Sequence, residues 1–230
     1  MRNLLLSGGP GHPFEQTTPQ LSSALSEAGL RSTVFTDIEQ GLQALAREDY
    51  ELLTVHCLRW TMSQSAKYAP LRSQWAFDLS EAGRRAIVAH LERGGGVLGL
   101  HTAAISFDTW PEWRDCLGTA WVWGVSNHPP LGPVEVTIDA PDHPVTCGLE
   151  GFVCEDEAYA DMAIAPSSVV LAHVRAGSEK VGHPAVCVQD GTFRGRTAYI
   201  AIGHGPATFD RPHYQKLVRQ AAAWCCEVPS

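Results

Sequence analysis

The chain of 230 residues has no apolar run near the roughly 20 residues that a membrane-spanning helix needs. Nor does Met1 to Leu6 carry the charged and apolar regions of an export leader, so a cytoplasmic protein with no membrane partner is expected. Positive charge is scarce: 17 Lys and Arg face 25 Asp and Glu, for a net charge of −8. A chain so charged, with no local basic cluster, is not expected to bind nucleic acid. Its seven cysteines are an odd, scattered set with no Cys-x-x-Cys pair, which reads as reduced core thiols of a cytoplasmic protein. Low-complexity tracts, repeats and linkers are absent as well, and residues 1–230 read as a single domain.

What is present has a β-α-β rhythm. Asn3 to Ser7 is a short apolar strand closed by Gly8-Gly9-Pro10-Gly11, and Leu21, Leu25 and Ala28 then recur at helical spacing within Thr17 to Ala28. Arg31 to Thr36 and Tyr50 to Val55 read as strands, with a helix at Ile38 to Arg47 between them. After a polar stretch from Arg59 to Gln74, Ser80 to Glu92 reads as a helix with Ser80 as its N-cap and Gly94 as its stop. The second half holds expected strands at Val134 to Asp139, Val169 to Val174, Ala185 to Gln189 and Thr197 to Ile202. The last two are joined as a hairpin around Arg194-Gly195, and a final helix follows from Tyr214 to Cys226. Such alternation builds a three-layer α/β sandwich around a mostly parallel central sheet with an added antiparallel hairpin.

The run Gly94-Gly95-Gly96-Val97-Leu98-Gly99-Leu100-His101-Thr102-Ala103 is a buried strand ending in a sharp strand-to-helix turn. In hydrolases that turn presents a Ser or Cys nucleophile; here its tip is His101, which moves protons or binds metal. His12, His56 and His204 also follow expected strands, at the edge where open α/β sheets bind ligands. Glycines flank His204 on both sides and leave its backbone open to a ligand. Glu157, with Asp156 beside it and Tyr159 two residues on, adds a carboxylate able to orient a histidine, ligate a metal or act as a base. Trp121 and Trp123 precede His128 in a glycine-containing loop suited to walling a sugar-sized pocket.

The Gly8 to Gly11 loop has neither the Lys-Ser/Thr of a P-loop nor the spacing of a dinucleotide fingerprint, so no nucleotide cofactor is expected.

Read in order, Gly8 to His12, the Gly94 to Ala103 elbow, Asp142-His143-Pro144-Val145-Thr146, Asp156-Glu157-x-Tyr159 and Gly203-His204 resemble the trehalose-utilisation (ThuA-like) family. That family is a branch of the class I glutamine amidotransferase-like superfamily. The resemblance implies a flavodoxin-like fold and a place in carbohydrate metabolism. Glutaminase relatives hold Cys where this chain has His101, so Cys-dependent glutamine hydrolysis is not expected.

Two chemistries fit an enzyme acting on a sugar or keto-sugar, as a hydrolase, isomerase or lyase. In one, His12, His101, His204 and Glu157 hold a divalent metal, Zn or Mn; in the other, His101, His204 and Glu157 work as acids and bases without it. His12, His56, His128, Trp123 and Tyr159 are the expected substrate-binding residues. A non-catalytic sugar-binding or assembly module on the same fold is the alternative, and a homo-oligomer is compatible with either. A hydrolase using Cys57 or Cys116 is a third reading.

Overall fold

The computed structural model describes residues 1–177 and 179–227. Its strands are β1 (Arg2–Gly8), β2 (Arg31–Phe35), β3 (Leu52–Cys57), β4 (Gly96–Leu100), β5 (Thr119–Ala120) and β6 (Gly132–Ile138). They continue with β7 (Phe152–Asp156), β8 (Ala163–Ile164), β9 (Val169–Ala176), β10 (His183–Gln189) and β11 (Thr197–Ile200). The helices are α1 (Phe14–Glu27), α2 (Ile38–Arg47), α3 (Arg72–Trp75), α4 (Glu81–Glu92), α5 (Trp113–Leu117), α6 (Pro206–Phe209) and α7 (Pro212–Cys225).

Nine strands form one sheet in the order β2-β1-β3-β4-β11-β10-β9-β6-β7, while β5 and β8 pair separately. The first five run parallel. The expected hairpin, β10 with β11, is there, and β9, β6 and β7 continue it as an antiparallel wing. Side chains alternate across β1: Leu5 packs with Leu21 and Leu25 of α1 and with α7 on one face, and Leu4 and Leu6 pack with Ile38 and Leu42 of α2 on the other. Burial on both faces explains why Leu4 to Leu6 of β1 and the whole of β4 are apolar without alternation.

Local signals set most boundaries. Asp37 caps α2 by accepting from Gln40 N at 3.0 Å, and Ser80 caps α4 by accepting from Gly83 N at 3.0 Å. Helix α1 begins three residues before the expected Thr17, because Gln16 and Thr17 already donate their N–H groups to Pro13 O. Strand β7 has no counterpart in the expected elements. It buries Cys154 and Asp156 and exposes Val153 and Glu155, so its alternation is half acidic. No helix among the described residues is long and apolar enough to cross a membrane.

The antiparallel wing has one consequence for the site. Four reversals of direction after β11 leave β7 pointing the same way as β4 and β11, and the sheet curls so that Asp156 bonds Gly203 just beyond β11. The carboxyl ends of the parallel half and of β7 therefore meet.

Candidate functional site

The elbow after β4 sets the centre. Gly99 lets Leu117 pack against the strand, since a Cβ there would lie 2.3 Å from Leu117 Cδ1 and force that side chain aside. His101 itself takes φ 45°, a left-handed conformation rare outside glycine. Three bonds hold this backbone: Tyr199 Oη donates to His101 O at 2.8 Å, and Thr102 and Ser106 donate to Cys57 O at 2.8 and 2.9 Å. A sterically unfavoured turn persists where its surroundings over-determine it.

Hydrogen-bond partners fix the histidine tautomers. His101 Nδ1 is 2.7 Å from Ala201 O, an acceptor, so Nδ1 carries the proton and Nε2 a lone pair. Tyr159 Oη donates to that Nε2 at 3.0 Å. His12 Nδ1 in the same way faces Pro10 O at 3.4 Å, and His12 Nε2 is buried with no partner. His204 Nδ1 is also buried without a bond, although Glu157 Oε2 stands 3.3 Å away, close but misaligned. The same Oε2 is 3.5 Å from His101 Nε2. One ligand atom from each of His12, His101, Glu157 and His204 can be chosen so that all lie within 4.8 Å of one another. Three imidazoles and one carboxylate, with His12 Nε2 and His204 Nδ1 buried and unpartnered and the His101 Nε2 lone pair held by Tyr159 alone, are a donor set that fits a divalent cation.

Electrostatics sharpen the picture. Burial, and then the neighbouring His101 and His204, push His12 down to about 3, so it is neutral at any physiological pH. Burial opposes the charge on Glu157, but His101 and His204 hold its carboxyl below the ordinary carboxylate range. Burial likewise disfavours a charged His204, yet Glu157 beside it and Asp156 nearby raise its pKa.

Asp156 does not join the cluster; it clamps it. Fully buried, its Oδ2 accepts from Gly203 N at 2.9 Å, His204 N at 3.1 Å and Thr208 Oγ1 at 2.6 Å, and its Oδ1 from Glu157 N at 2.9 Å. Gly203 takes φ 129°, and a Cβ there would lie 2.4 Å from Tyr214 Oη.

A cavity of about 530 Å³ opens over the cluster, in the size range of small-molecule sites. His12, Glu157, Tyr159 and His204 form part of its lining, with His128 and Trp123 on its wall. His128 Nδ1 donates to Pro129 O at 2.9 Å and lies 3.5 Å from Glu157 Oε1. Trp60 and Trp123 stack with centroids 6.2 Å apart and planes at 20°, Tyr68 standing edge-on to both. Both indole Nε1 atoms are buried without a partner. Trp60 and Tyr68 come from the polar stretch after β3, where isolated aromatics among polar residues were the only signal.

The structure does not bring His56 to this cavity. Its Nε2 bonds Thr17 Oγ1 at 2.9 Å, its ring lies between Phe14 and Phe209, and burial pushes it down to about 3. Cys57 and Cys116 are buried with thiols pushed up to about 12, mainly by burial, which leaves no thiolate for the cysteine-hydrolase reading.

Comparison with known proteins agrees with this architecture. The ThuA family model, described as trehalose utilisation, matches residues 13–225. A ThuA-like protein from Parabacteroides merdae superposes with a TM-score of 0.74 at 18% identity, covering 100% of this chain and 92% of its own. A ThuA-like protein from Bacteroides uniformis gives 0.68 at 21% identity, with coverage of 97% and 90%. A cytoplasmic protein from Salmonella typhimurium gives 0.56 at 12% identity, with coverage of 93% and 95%. At such identities the superpositions speak for the fold alone. A search of curated proteins finds no match. The family model spans nearly the whole chain, the elbow, the clamp and three of the four clustered side chains included while His12 stands one residue before the match, and this protein accordingly belongs to the ThuA trehalose-utilisation family.

Proposed function

We propose that the chain is an enzyme acting on a sugar or keto-sugar derivative, with His12, His101, His204 and Glu157 holding a divalent metal, Zn or Mn, at the floor of the cavity. The observation that carries this reading is the convergence of these four side chains, with His12 Nε2 and His204 Nδ1 buried and unpartnered and the outer nitrogens of His12 and His101 anchored on backbone carbonyls. When bound, such a metal polarises a carbonyl or hydroxyl oxygen or acidifies water. The protein's own groups supply the rest. With the His101 Nε2 lone pair given to the metal, Tyr159 Oη, 3.0 Å from it, would be freed to donate its proton to a substrate oxygen, and His128 at the rim, 3.5 Å from Glu157, is placed to carry a proton between the cavity and solvent. The stacked Trp60 and Trp123 offer apolar faces to a pyranose ring and two indole N–H donors to its hydroxyls.

Acid-base chemistry without a metal is the second reading, favoured by the same short Tyr159–His101 contact. Elemental analysis and calorimetric titration with Zn and Mn separate the two. Wild-type protein is expected to bind about one ion per chain, and His101→Ala and His204→Ala to lose it; full occupancy in both variants overturns the metal site.

A further inference from the structure

His12 also borders a second cavity, of about 720 Å³, lined by Ser7 and Gly8 at the carboxyl end of β1, by Val34 and Thr36 at that of β2, and by Arg59 just beyond β3. Strands β1 and β3, neighbours in the sheet, send their chains in opposite directions, β1 to β2 on one side and β3 to β4 on the other. Such a switch point leaves a crevice where open α/β sheets take ligands. We infer that this cavity is an oxyanion-binding subsite, built around Arg59, for the carboxylate or phosphate group of a small molecule.

The argument rests on the state of Arg59. Its guanidinium carbon lies 4.7 Å from the Trp75 ring centroid, a cation–π contact that restrains the side chain. Its side-chain bonding consists of one long contact, NH2 to Thr36 O at 3.4 Å, and Nε is buried with no partner. It belongs to none of the arginine–carboxylate pairs among the described residues. A buried donor of a charged group left unpaired is costly, and a guanidinium already immobilised matches an oxyanion with two parallel N–H bonds.

The floor is bare backbone. NH2 lies 3.8 Å from where a Gly8 Cβ would sit, with nothing nearer, so a ligand oxygen can approach the main chain at Gly8 beneath the guanidinium; Gly9, at φ 148°, packs instead against Leu58 O, 2.5 Å from where its Cβ would be. The first turn of α1 faces the same space and adds its partial positive charge. Glu15, exposed at the rim, opposes this field and disfavours highly charged anions.

The subsite shares only His12 with the histidine cluster, and its test does not depend on the metal. Inorganic phosphate and acetate are titrated separately into the full chain, followed by calorimetry and by the Arg59 Nε–H resonance. The two ligands distinguish a phosphate-type from a carboxylate-type partner, and saturation by either, with movement of that resonance, supports the subsite. Arg59→Gln is expected to weaken binding by roughly 10-fold or more, the loss of a charge-assisted bond pair. Glu15→Gln, an exposed change with no threat to folding, is expected to tighten it by about 2-fold to 5-fold through removal of a repelling charge. Thermal unfolding confirms that both variants are folded. The inference is overturned if neither anion saturates the wild type, if Arg59→Gln binds equally well while folded, or if Glu15→Gln weakens binding.

Discussion

Replacing Asp156 by Asn tests the clamp, since it keeps shape and volume while exchanging one acceptor oxygen for a donor. The carboxylate now receives four short bonds, three at Oδ2 and one at Oδ1, in a fully buried setting. If the amide oxygen takes the Oδ2 position, the new NH2 group faces Glu157 N–H; turned the other way, it faces Gly203 and His204 N–H. The better orientation forfeits one bond of roughly 1.5–3 kcal/mol and downgrades three others by about 0.5–1 kcal/mol each, from charged to neutral acceptor. Relief of a buried charge offsets part of this, leaving a net loss of about 2–4 kcal/mol. For a chain of this length that corresponds to a fall in Tm of ~5–15 °C. Because His204 and Glu157 hang from the clamp, metal affinity should fall as well. Calorimetric unfolding and Zn or Mn titration read both effects. A Tm within about 2 °C of wild type together with unchanged metal affinity would refute the reasoning.

Gly203→Ala should destabilise the fold by about 2–3 kcal/mol through its left-handed backbone and its clash with Tyr214 Oη, measured by urea unfolding. The loss should shrink in a Tyr214→Phe background, and an equal loss in both would show the clash to be irrelevant. Burial holds His56 at about 3 and His90 at about 4, below the ~6.5 of an unfolded histidine, so the unfolded chain binds more protons between those values. Their contribution to stability is therefore complete above pH ~6.5 and is lost as pH falls toward 4 and then 3. NMR of their rings should show neutral imidazoles from pH 8 to 5, and a midpoint near 6.5 for either would contradict the account. Trp123→Ala should weaken binding of a sugar by about 3-fold to 10-fold in calorimetry while sparing metal occupancy, since it removes stacking area and not a donor to the ion; unaltered sugar affinity would remove Trp123 from the substrate wall.

Much of this was legible from residue order. Gly99-Leu100-His101 marks the elbow because a side chain at Gly99 would displace Leu117, and Gly203 before His204 marks a turn where a Cβ would meet Tyr214 Oη. His56 shows the limit of such reading. Expected just after its strand, it lies inside β3, whereas His12 and His204 stand four residues beyond β1 and β11, and its ring accordingly packs from the sheet face against α1 and Thr17. Asp156 and Glu157 were equivalent as letters, and the end of β7 separates them: one carboxylate turns into the backbone of 203–204 and the other into the cluster. Strand β7 itself was hidden because its exposed positions include Val153, so apolar and acidic residues do not sort by face. Trp60 and Tyr68 reach the cavity through an irregular segment with no periodicity to place them.

The clustered side chains stand at positions 12, 101, 157 and 204, so the segments that meet there are almost as far apart along the chain as its length allows. Contacts of such separation form slowly, because each closes a long loop before it is rewarded. A ligand seated among all four cross-links the parallel half to the antiparallel wing. It binds the finished fold and not its parts, and by mass action it stabilises the whole chain in proportion to the logarithm of its concentration. The histidine cluster is in this sense a sensor of completed assembly.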